Sequence, residues 1–329
     1  MNSTLEILLK GIRKVIAKNL LKTLDIPSRC MDADMANDMI YDLLMADKPC
    51  MIARYGSSEL NVIINYLGEV KHKNEYLKYV LGKVPAWWNF IPERWQSFQY
   101  NSGFFPLKQS LIEKWCRLSI DDSRQVDMLG SWCYEEHFMA EYNPTDMKRC
   151  ALLLLEPYWG KRPWSRALEG KKVLVIHPFA ELIERQYYEK REVLFENKEV
   201  LPPFELKTIK AVSAVDGKTN FSNWFEALEH MERQMDATDY DICLIGAGAY
   251  GFNLAAHAKR MGKKAVHLGG ALQLLFGIRG KRWDNPEYGK VTLKGGGKYL
   301  QMFNDNWVYP GEEYRPKNGN CCDDNCYWK

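Results

Sequence analysis

The stretch that decides the fold is residues 241–270, which read DICLIGAGAYGFNLAAHAKRMGKKAVHLGG. An apolar run of strand length, Asp241–Ile245, precedes a glycine turn, and a helical pattern then leads to a second apolar run, Lys264–Leu268. The turn has the spacing G-x-G-x-x-G, and its glycines are Gly246, Gly248 and Gly251. Strand, helix and strand in this order are typical of an α/β sheet, and the glycines indicate a close approach of the backbone to a phosphate or to a neighbouring strand.

The rest of the chain repeats this alternation. Strands are predicted near Cys50–Arg54, Gln125–Gly130, Ala151–Leu155, Lys172–His177, Glu205–Val212, Asp241–Ile245 and Lys264–Leu268. Helices are predicted at Ser58–Leu67, Leu107–Leu118, Ala180–Glu196, Asn223–Met235 and Phe252–Met261. The strands are continuously apolar, so the pattern predicts a Rossmann-like, mostly parallel sheet with helices on both faces. The glycine-rich segment near Lys290 is predicted to be a closing loop or a hairpin.

The chain divides by composition into three parts. Residues 1–25 are predicted to form an amphipathic helix, residues 26–315 a single α/β domain in two halves, and residues 316–329 a loose, cysteine-containing tail. A net charge of +3 in 329 residues gives no case for nucleic-acid binding. No run of 18 apolar residues occurs, and scattered cysteines without a signal peptide favour a cytoplasmic protein with reduced thiols.

The first segment leaves two interpretations open. Its apolar residues follow helical spacing and are Leu5, Leu8, Leu9, Ile12, Ile16, Leu20 and Leu24. Its basic residues are Lys10, Arg13, Lys14, Lys18 and Lys22. Such a helix could lie on an anionic membrane, here the inner face of the cytoplasmic membrane. Alternatively, it docks on its own domain or on a partner subunit of a homo-oligomer.

Ligands of an open parallel sheet bind at the carboxyl ends of its strands. The strand that ends at Arg54 turns through Gly56 and starts a helix near Ser57 and Ser58. Free amides at a helix start favour an anion, and an arginine adds a bidentate phosphate contact. The alternative is that Ser57 or Ser58 only caps the helix, which would not explain the arginine.

Two further strand ends carry polar residues. His177 closes its strand and could bond a phosphate or a leaving oxygen, or be a structural histidine with satisfied partners. After the last predicted strand, Gly269 begins another helical segment, and Gln273 and Arg279 are the predicted ligand contacts there.

The glycine turn itself raises the question of a nicotinamide cofactor. A dinucleotide site needs an Asp or Glu about twenty residues after the first glycine, at the end of the next strand, to hold the ribose hydroxyls. His267 stands there instead. We therefore expect Gly246, Gly248, Tyr250, Gly251 and His267 to contact a different phosphate-bearing ligand.

The segment ARYGSSEL, residues 53–60, resembles the R-[FY]-G-D-x-E segment of bacterial glycosyltransferases with the GT-D fold. The later stretches GKKVLVIHPFAELIERQY, LPPFELKTIKAV and DICLIGAGAYG with KAVHLGGALQLLFGIRGKRWD are similar to bacterial polysaccharide-biosynthesis proteins related to that group. The resemblance spans roughly residues 49–285. It implies transfer of a sugar from a nucleotide donor, expected to be UDP-linked, to a growing glycan such as capsule, O-antigen or glycoprotein.

The resemblance also implies a metal site, but the chain departs from it. The family's acidic pair holds the donor pyrophosphate through a divalent ion; Glu59 matches the second acid, whereas Ser57 replaces the first. A hydroxyl is a poor ligand for Mg²⁺ or Mn²⁺ beside a carboxylate, which leaves metal dependence open. Glu59 is the predicted catalytic base and the one predicted metal ligand, with Glu135 and Glu136 as alternative bases.

Two other functions remain in competition. An NAD(P)-dependent oxidoreductase is favoured by the glycine spacing alone. A non-catalytic subunit that binds a nucleotide or a glycan is favoured by the serine at position 57.

Overall fold

A computed structural model of the chain describes residues 3–21, 26–72, 74–84, 92–214, 219–315 and 326–328. These residues form one seven-stranded sheet in the order β3-β2-β1-β7-β6-β4-β5, and every neighbouring pair is parallel. The strands are β1 (Cys50–Ala53), β2 (Met128–Ser131), β3 (Lys148–Ala151), β4 (Lys172–His177), β5 (Glu205–Lys210), β6 (Ile242–Ile245) and β7 (Lys264–His267). The predicted Rossmann-like α/β fold is confirmed.

Helices cover both faces of the sheet. They are α1 (Ser3–Leu21), α2 (Ala33–Met45), α3 (Ser57–Lys71), α4 (Tyr76–Val80), α5 (Pro92–Ser102), α6 (Gln109–Asp122), α7 (Ala180–Leu194), α8 (Trp224–Asp236), α9 (Gly251–Arg260), α10 (Leu272–Leu275) and α11 (Lys298–Met302). Helices α3, α5, α6, α8 and α9 pack on one face, and α2, α7 and α10 pack on the other. Strand β4 is continuously apolar because its side chains are buried on both faces of the sheet. Leu174 and Ile176 pack on the face covered by α3 and α9, while Val173 and Val175 pack on the face covered by α2 and α7.

This arrangement opens the carboxyl edge of the sheet between several neighbouring strands, because β1, β7, β6, β4 and β5 are followed by helices on alternating faces. The neighbours β6 and β4 are followed by helices on opposite faces, α9 and α7, and the neighbours β1 and β7 likewise by α3 and α10. A crevice forms wherever adjacent strands send their connections to opposite faces, and ligands of such sheets bind there.

One predicted strand differs from the structure, and of the two alternatives predicted near Lys290 the loop is the one observed. The strand expected over Ala151–Leu155 ends at Ala151, and Leu152–Leu155 form a 3₁₀ helix instead. Four consecutive leucines are compatible with either conformation because periodicity cannot separate a buried strand from a buried helical turn. The segment around Lys290 is a loop of turns that leads into α11, not a hairpin.

The two ends of the chain are only partly as expected. The helix α1 forms, and Leu9 packs with Tyr79, Val80 and Val84 of the same chain. Within the tail, Cys326–Trp328 are docked rather than loose, since the side chains of Cys326 and Trp328 are buried. Residues 1–2 and 22–25 of the predicted first segment, and residues 316–325 and 329 of the tail, lie outside the described residues. None of the described helices is both long and apolar enough to cross a membrane.

Candidate functional site

A cavity of about 1230 Å³ lies at the carboxyl edge of the sheet. It is lined by residues that directly follow or end β1, β4, β6 and β7. The predicted site residues that line it are Arg54, Gly56, Ser57, Ser58, Glu59, His177, Gly246, Gly248, His267, Gly269 and Gln273. Topology therefore brings together residues that are more than two hundred positions apart in the sequence.

Arg54 supplies a positive charge to this cavity. Its guanidinium lies over the ring of Trp132, 5.3 Å from the centroid, and Trp132 is held in place because its Nε1 donates to the carbonyl of Tyr55 at 2.9 Å. Within the described ranges, no side chain forms an ion pair or hydrogen bond with the Arg54 guanidinium. The charge is therefore available to an anionic ligand.

The N-terminus of α3 opens into the same part of the cavity. Its N-cap is Gly56, which has no side chain to accept from the first amides, so the predicted capping by Ser57 or Ser58 is wrong. The helix ladder starts with the amide of Leu60, which donates to the carbonyl of Gly56 at 2.8 Å. The helix start beside Ser57 and Ser58 thus presents amide groups and the positive end of the helix dipole to the cavity.

Glu59 folds back over this helix start. A methyl group on Gly56 would come within 2.7 Å of Glu59 Oε1, which shows that the carboxylate lies against the N-cap. The position is favourable for a negative charge because it is at the positive end of the helix dipole. Glu59 is accordingly a carboxylate at the cavity wall, placed against the N-cap of α3.

His177 is a buried neutral imidazole at the end of β4. Its side chain is 3% exposed, and burial lowers its pKa to about 3 because the charged ring would lose its hydration. The amide of Phe179 donates to Nδ1 at 3.0 Å, which places the ring proton on Nε2. No acceptor in the described part of the chain receives a hydrogen bond from Nε2. His177 is therefore a hydrogen-bond donor at the cavity wall.

His267, at the end of β7, is the second buried imidazole. Its pKa is lowered to about 3, chiefly by burial and to a smaller extent by the nearby charge of Arg54, against a hydrogen bond with the Arg54 backbone. Its Nδ1 has no hydrogen-bond partner among the residues that the structure describes. A buried polar atom without a partner is costly to the fold.

The motif glycines serve close packing as much as they line the cavity. A methyl group on Gly246 would lie 2.6 Å from both His177 Cδ2 and the carbonyl oxygen of Gly269. Gly248 has a φ of +50°, and a methyl group there would lie 2.6 Å from the carbonyl oxygen of Ser102. Gly251 lies against the ring of His267 and does not line the cavity, contrary to the prediction. Two of the three glycines thus hold the imidazoles in position.

Two of the predicted ligand contacts lie outside the cavity. Tyr250 is 1% exposed and stacks on Trp224 with ring centroids 4.8 Å apart, so it belongs to the core. Arg279 lies outside the cavity, where it pairs with Asp284 at 2.7 Å and contacts the ring of Tyr309. Gln273 does line the cavity, but its amide nitrogen donates to three backbone carbonyls, those of Ile278, Arg279 and Tyr327. Its part in the site is therefore mainly to hold the surrounding backbone.

The charges around the cavity favour an anion. Its basic residues are Arg29, Arg54, Lys210, Arg282, Lys290 and Arg315, and its acidic residues are Glu59, Glu287 and Glu313. Some of these charges neutralise one another, as Lys290 and Glu287 do at 2.9 Å. Lys210 and Arg315 are also paired, with Glu181 at 2.7 Å and with Glu312 at 3.3 Å. The lining still holds more basic than acidic side chains, which favours a phosphate-bearing ligand.

An aromatic wall of the cavity was not predicted. It consists of Phe179, Tyr314, Tyr327 and Trp328. The ring centroids of Phe179 and Tyr314 are 5.4 Å apart, and those of Phe179 and Trp328 are 6.0 Å apart. Tyr327 and Trp328 fall in the segment expected to be loose. The sequence did offer a signal for burial here, because Tyr327 and Trp328 are adjacent at the end of a polar segment and large aromatic side chains tend to be buried.

The residues of the site do not form a donor set for a hard divalent cation. Across the described ranges, no three His, Cys, Asp or Glu side chains come together in a way that could hold a metal ion. At the expected place Glu59 is accompanied by the hydroxyl of Ser57 and by the positive charge of Arg54. Glu136 is no substitute ligand or base, since it accepts from the amides of Trp132 and Cys133 and from the hydroxyl of Ser131.

Comparisons of the chain with protein-family models, with curated proteins and with solved structures found no match.

Proposed function

We propose that the chain is a glycosyltransferase that binds a nucleoside-diphosphate sugar in this cavity and transfers the sugar to a glycan acceptor. The observation that carries the proposal is that Arg54, whose guanidinium has no ion-pair partner among the described residues, lines the same cavity as the N-terminus of α3. Together these groups offer a bidentate cation and backbone amides to one doubly charged group, which is what a diphosphate requires.

The proposed chemistry assigns roles to three side chains. The acceptor hydroxyl oxygen bonds to the anomeric carbon, the bond from that carbon to the diphosphate oxygen breaks, and the nucleoside diphosphate leaves with the electron pair. Arg54 and the α3 amides stabilise the charge that develops on the leaving group, and His177 Nε2 donates a hydrogen bond to it. The carboxylate of Glu59 takes the proton of the acceptor hydroxyl.

The size of the cavity agrees with two substrates. Cavities that hold one drug-sized ligand measure roughly 300–1,000 Å³. At about 1230 Å³ this cavity has room for a donor and for part of an acceptor at the same time. UDP as the nucleotide and a bacterial glycan as the acceptor belong to the proposal through the resemblance of residues 49–285.

A dinucleotide-dependent oxidoreductase is less well supported. The position of the ribose-binding acid is taken by His267, which is buried and neutral at neutral pH. The third motif glycine lies against that imidazole instead of forming part of the cavity wall. A non-catalytic nucleotide-binding subunit remains the second candidate because Ser57 replaces an acidic residue.

Membrane contact through α1 is a further part of the proposal. One side of the helix is docked, with Arg13 donating to the carbonyls of Tyr79 and Val84 at 2.8 and 3.0 Å. Leu8 and Val15 are 57% and 72% exposed and lie on another side of the helix. Replacing both with serine should abolish co-sedimentation with anionic phospholipid vesicles while the docked side keeps the fold. Unchanged co-sedimentation of this variant would reject α1 as the membrane contact.

The proposed reaction is tested by turnover. Purified protein is incubated with a panel of UDP-, GDP- and CMP-sugars, and release of the free nucleotide is followed with water or added glycans as acceptor. We expect release from one donor class, and Glu59→Gln should bind that donor normally but release its nucleotide at least about tenfold more slowly. Binding without turnover for any donor would favour the non-catalytic subunit instead.

A further inference from the structure

The segment Cys326–Trp328 is built into the edge of the cavity. The amide of Lys281 donates to the carbonyl of Trp328 at 2.8 Å, and the amide of Arg282 donates to the carbonyl of Cys326 at 3.1 Å. The indole Nε1 of Trp328 donates to the carbonyl of Tyr314 at 3.0 Å. Backbone and side-chain hydrogen bonds on both sides thus fix the residue between them, Tyr327.

The ring of Tyr327 packs against the backbone of Gly270. A methyl group on Gly270 would come within 2.7 Å of Tyr327 Cζ, so the ring fits only because residue 270 is glycine. The guanidinium of Arg282 lies 5.0 Å from the ring centroid. While Cys326 and Trp328 are buried, Tyr327 is partly exposed and lines the cavity.

Tyr327 and Arg54 lie at two successive glycines. A methyl group on Gly269 would lie 3.7 Å from Cδ and Nη1 of Arg54, and the next residue, Gly270, is the one against Tyr327. A phosphate group held by Arg54 is therefore followed along the cavity wall by an aromatic ring. A nucleoside or a sugar attached to that phosphate could pack its flat face against the ring of Tyr327.

We propose that Tyr327 is a specificity-determining contact, which packs its ring against the organic group joined to the diphosphate, whereas Arg54 holds the diphosphate itself. This inference rests on the proposed function and adds the segment Cys326–Trp328 to its donor site. The shared chemistry is a ring bonded to the diphosphate, either the nucleobase end or the sugar.

The test separates the ring from the diphosphate with three probes. Isothermal calorimetry measures the Kd of inorganic pyrophosphate, UDP and UDP-glucose for the wild type, Tyr327→Ala and a control, Tyr309→Ala. Tyr309 is a matched control because its ring also contacts an arginine, Arg279 at 4.8 Å, but lies outside the cavity. We expect Tyr327→Ala to weaken UDP or UDP-glucose at least about tenfold and to leave pyrophosphate within about twofold, as stacking contacts are lost but the charge is not. Tyr309→Ala should change none of the three.

A second variant moves the ring without removing it. Gly270→Ala places a methyl group where the Tyr327 ring lies and should give the same pattern as Tyr327→Ala. Weaker binding of UDP locates the nucleoside at Tyr327, and weaker binding of UDP-glucose alone locates the sugar there.

Three results would overturn the inference. If both variants bind UDP and UDP-glucose as the wild type does, Tyr327 is no ligand contact, while the proposed function stands. An equal loss for pyrophosphate would show that the segment only supports the fold of the site. If the wild type binds pyrophosphate but neither nucleotide, nor any other nucleoside diphosphate, the proposed function fails and this inference fails with it.

Discussion

Gly251 and His267 are packed so closely that a methyl group on the Gly251 Cα would come within 2.6 Å of the imidazole Cδ2. The last glycine of a motif that elsewhere marks a dinucleotide site here makes room for a buried histidine. The imidazole in turn stands where a ribose-binding acid would be needed. This pair of residues is the clearest structural reason to assign the glycine turn to a different ligand.

Replacing Gly251 with alanine should therefore lower stability. On helix propensity alone the change in α9 would stabilise by about 1 kcal/mol. Overpacking against His267 should outweigh that gain, since it costs about 1–3 kcal/mol. Urea unfolding measures the difference, with Gly11→Ala in α1 as the control, because a methyl group there meets no other atom within 4 Å. If Gly251→Ala and Gly11→Ala both increase the free energy of unfolding, the His267 ring moves aside without cost and the predicted overpacking is absent.

Loss of the Arg54 guanidinium should weaken pyrophosphate binding with little effect on folding. Arg54→Gln should raise the Kd for pyrophosphate at least about tenfold because one charge-assisted contact is worth roughly 1.5–3 kcal/mol. Its melting temperature should stay near the wild-type value, since no described residue pairs with the guanidinium. Arg279→Gln is the matched control: it loses the ion pair with Asp284 and should bind pyrophosphate normally. If Arg279→Gln weakens pyrophosphate binding and Arg54→Gln does not, Arg54 is not part of the anion site.

Metal removal should leave pyrophosphate binding by the wild type unchanged. The expected site offers one carboxylate, Glu59, and the positive charges of the cavity can neutralise the anion themselves. EDTA should thus not alter the Kd in calorimetry. Ser57→Asp should weaken metal-free binding by adding a negative charge, and Mn²⁺ should restore it by binding both carboxylates. A wild-type Kd that rises more than about tenfold with EDTA would contradict this account.

Stability should depend on pH through the buried histidines. Their folded pKa of about 3 lies below the ordinary value of 6.5, so the unfolded state binds more protons between these limits. The stabilisation is complete above pH 6.5 and is lost as the pH falls towards 3, at about 1.4 kcal/mol per pH unit for each histidine. Glu156 acts in the opposite sense between pH 4.5 and 7, because burial raises its pKa to about 7 and its folded form keeps the proton.

The variants separate these contributions. Urea unfolding at several pH values between 4.5 and 6.5 gives the slope of stability against pH for each protein. His177→Gln should reduce that slope by about 1.4 kcal/mol per pH unit, and Glu156→Gln should increase it by about the same amount. A His177→Gln slope equal to that of the wild type would mean that His177 is not held neutral in the fold.

Much of the sheet could be predicted because its strands carry short apolar runs between turn signals. The run ICLI of β6 and the run VLVI of β4 have no other use than burial on both faces. The run of leucines after Ala151 failed as a strand prediction for the same reason, since burial alone does not distinguish a strand from a 3₁₀ turn. Strand order was beyond the sequence, because it depends on which crossovers the helices make.

Residues of the cavity were predictable where they lie at the end of a strand. Arg54 and His177 were found because each directly follows or closes a buried strand, and topology then brings such ends together. Tyr250 failed because the 3₁₀ turn after Gly248 directs it onto Trp224, and Arg279 failed because its partner Asp284 lies five residues further on. Tyr327 was missed because its position depends on hydrogen bonds to residues some forty-five positions earlier, which no local pattern shows.

The central claim is that the cavity binds a nucleoside diphosphate and not a nicotinamide dinucleotide. Thermal unfolding of the wild type with UDP, GDP, CMP or NAD, each with and without Mn²⁺, tests it most directly. A ligand present at 100 times its Kd stabilises the folded state by about 2.7 kcal/mol, enough to raise the melting temperature by several degrees. We predict such a rise with UDP or GDP, in the absence of Mn²⁺, and none with NAD. A rise with NAD alone would contradict the account.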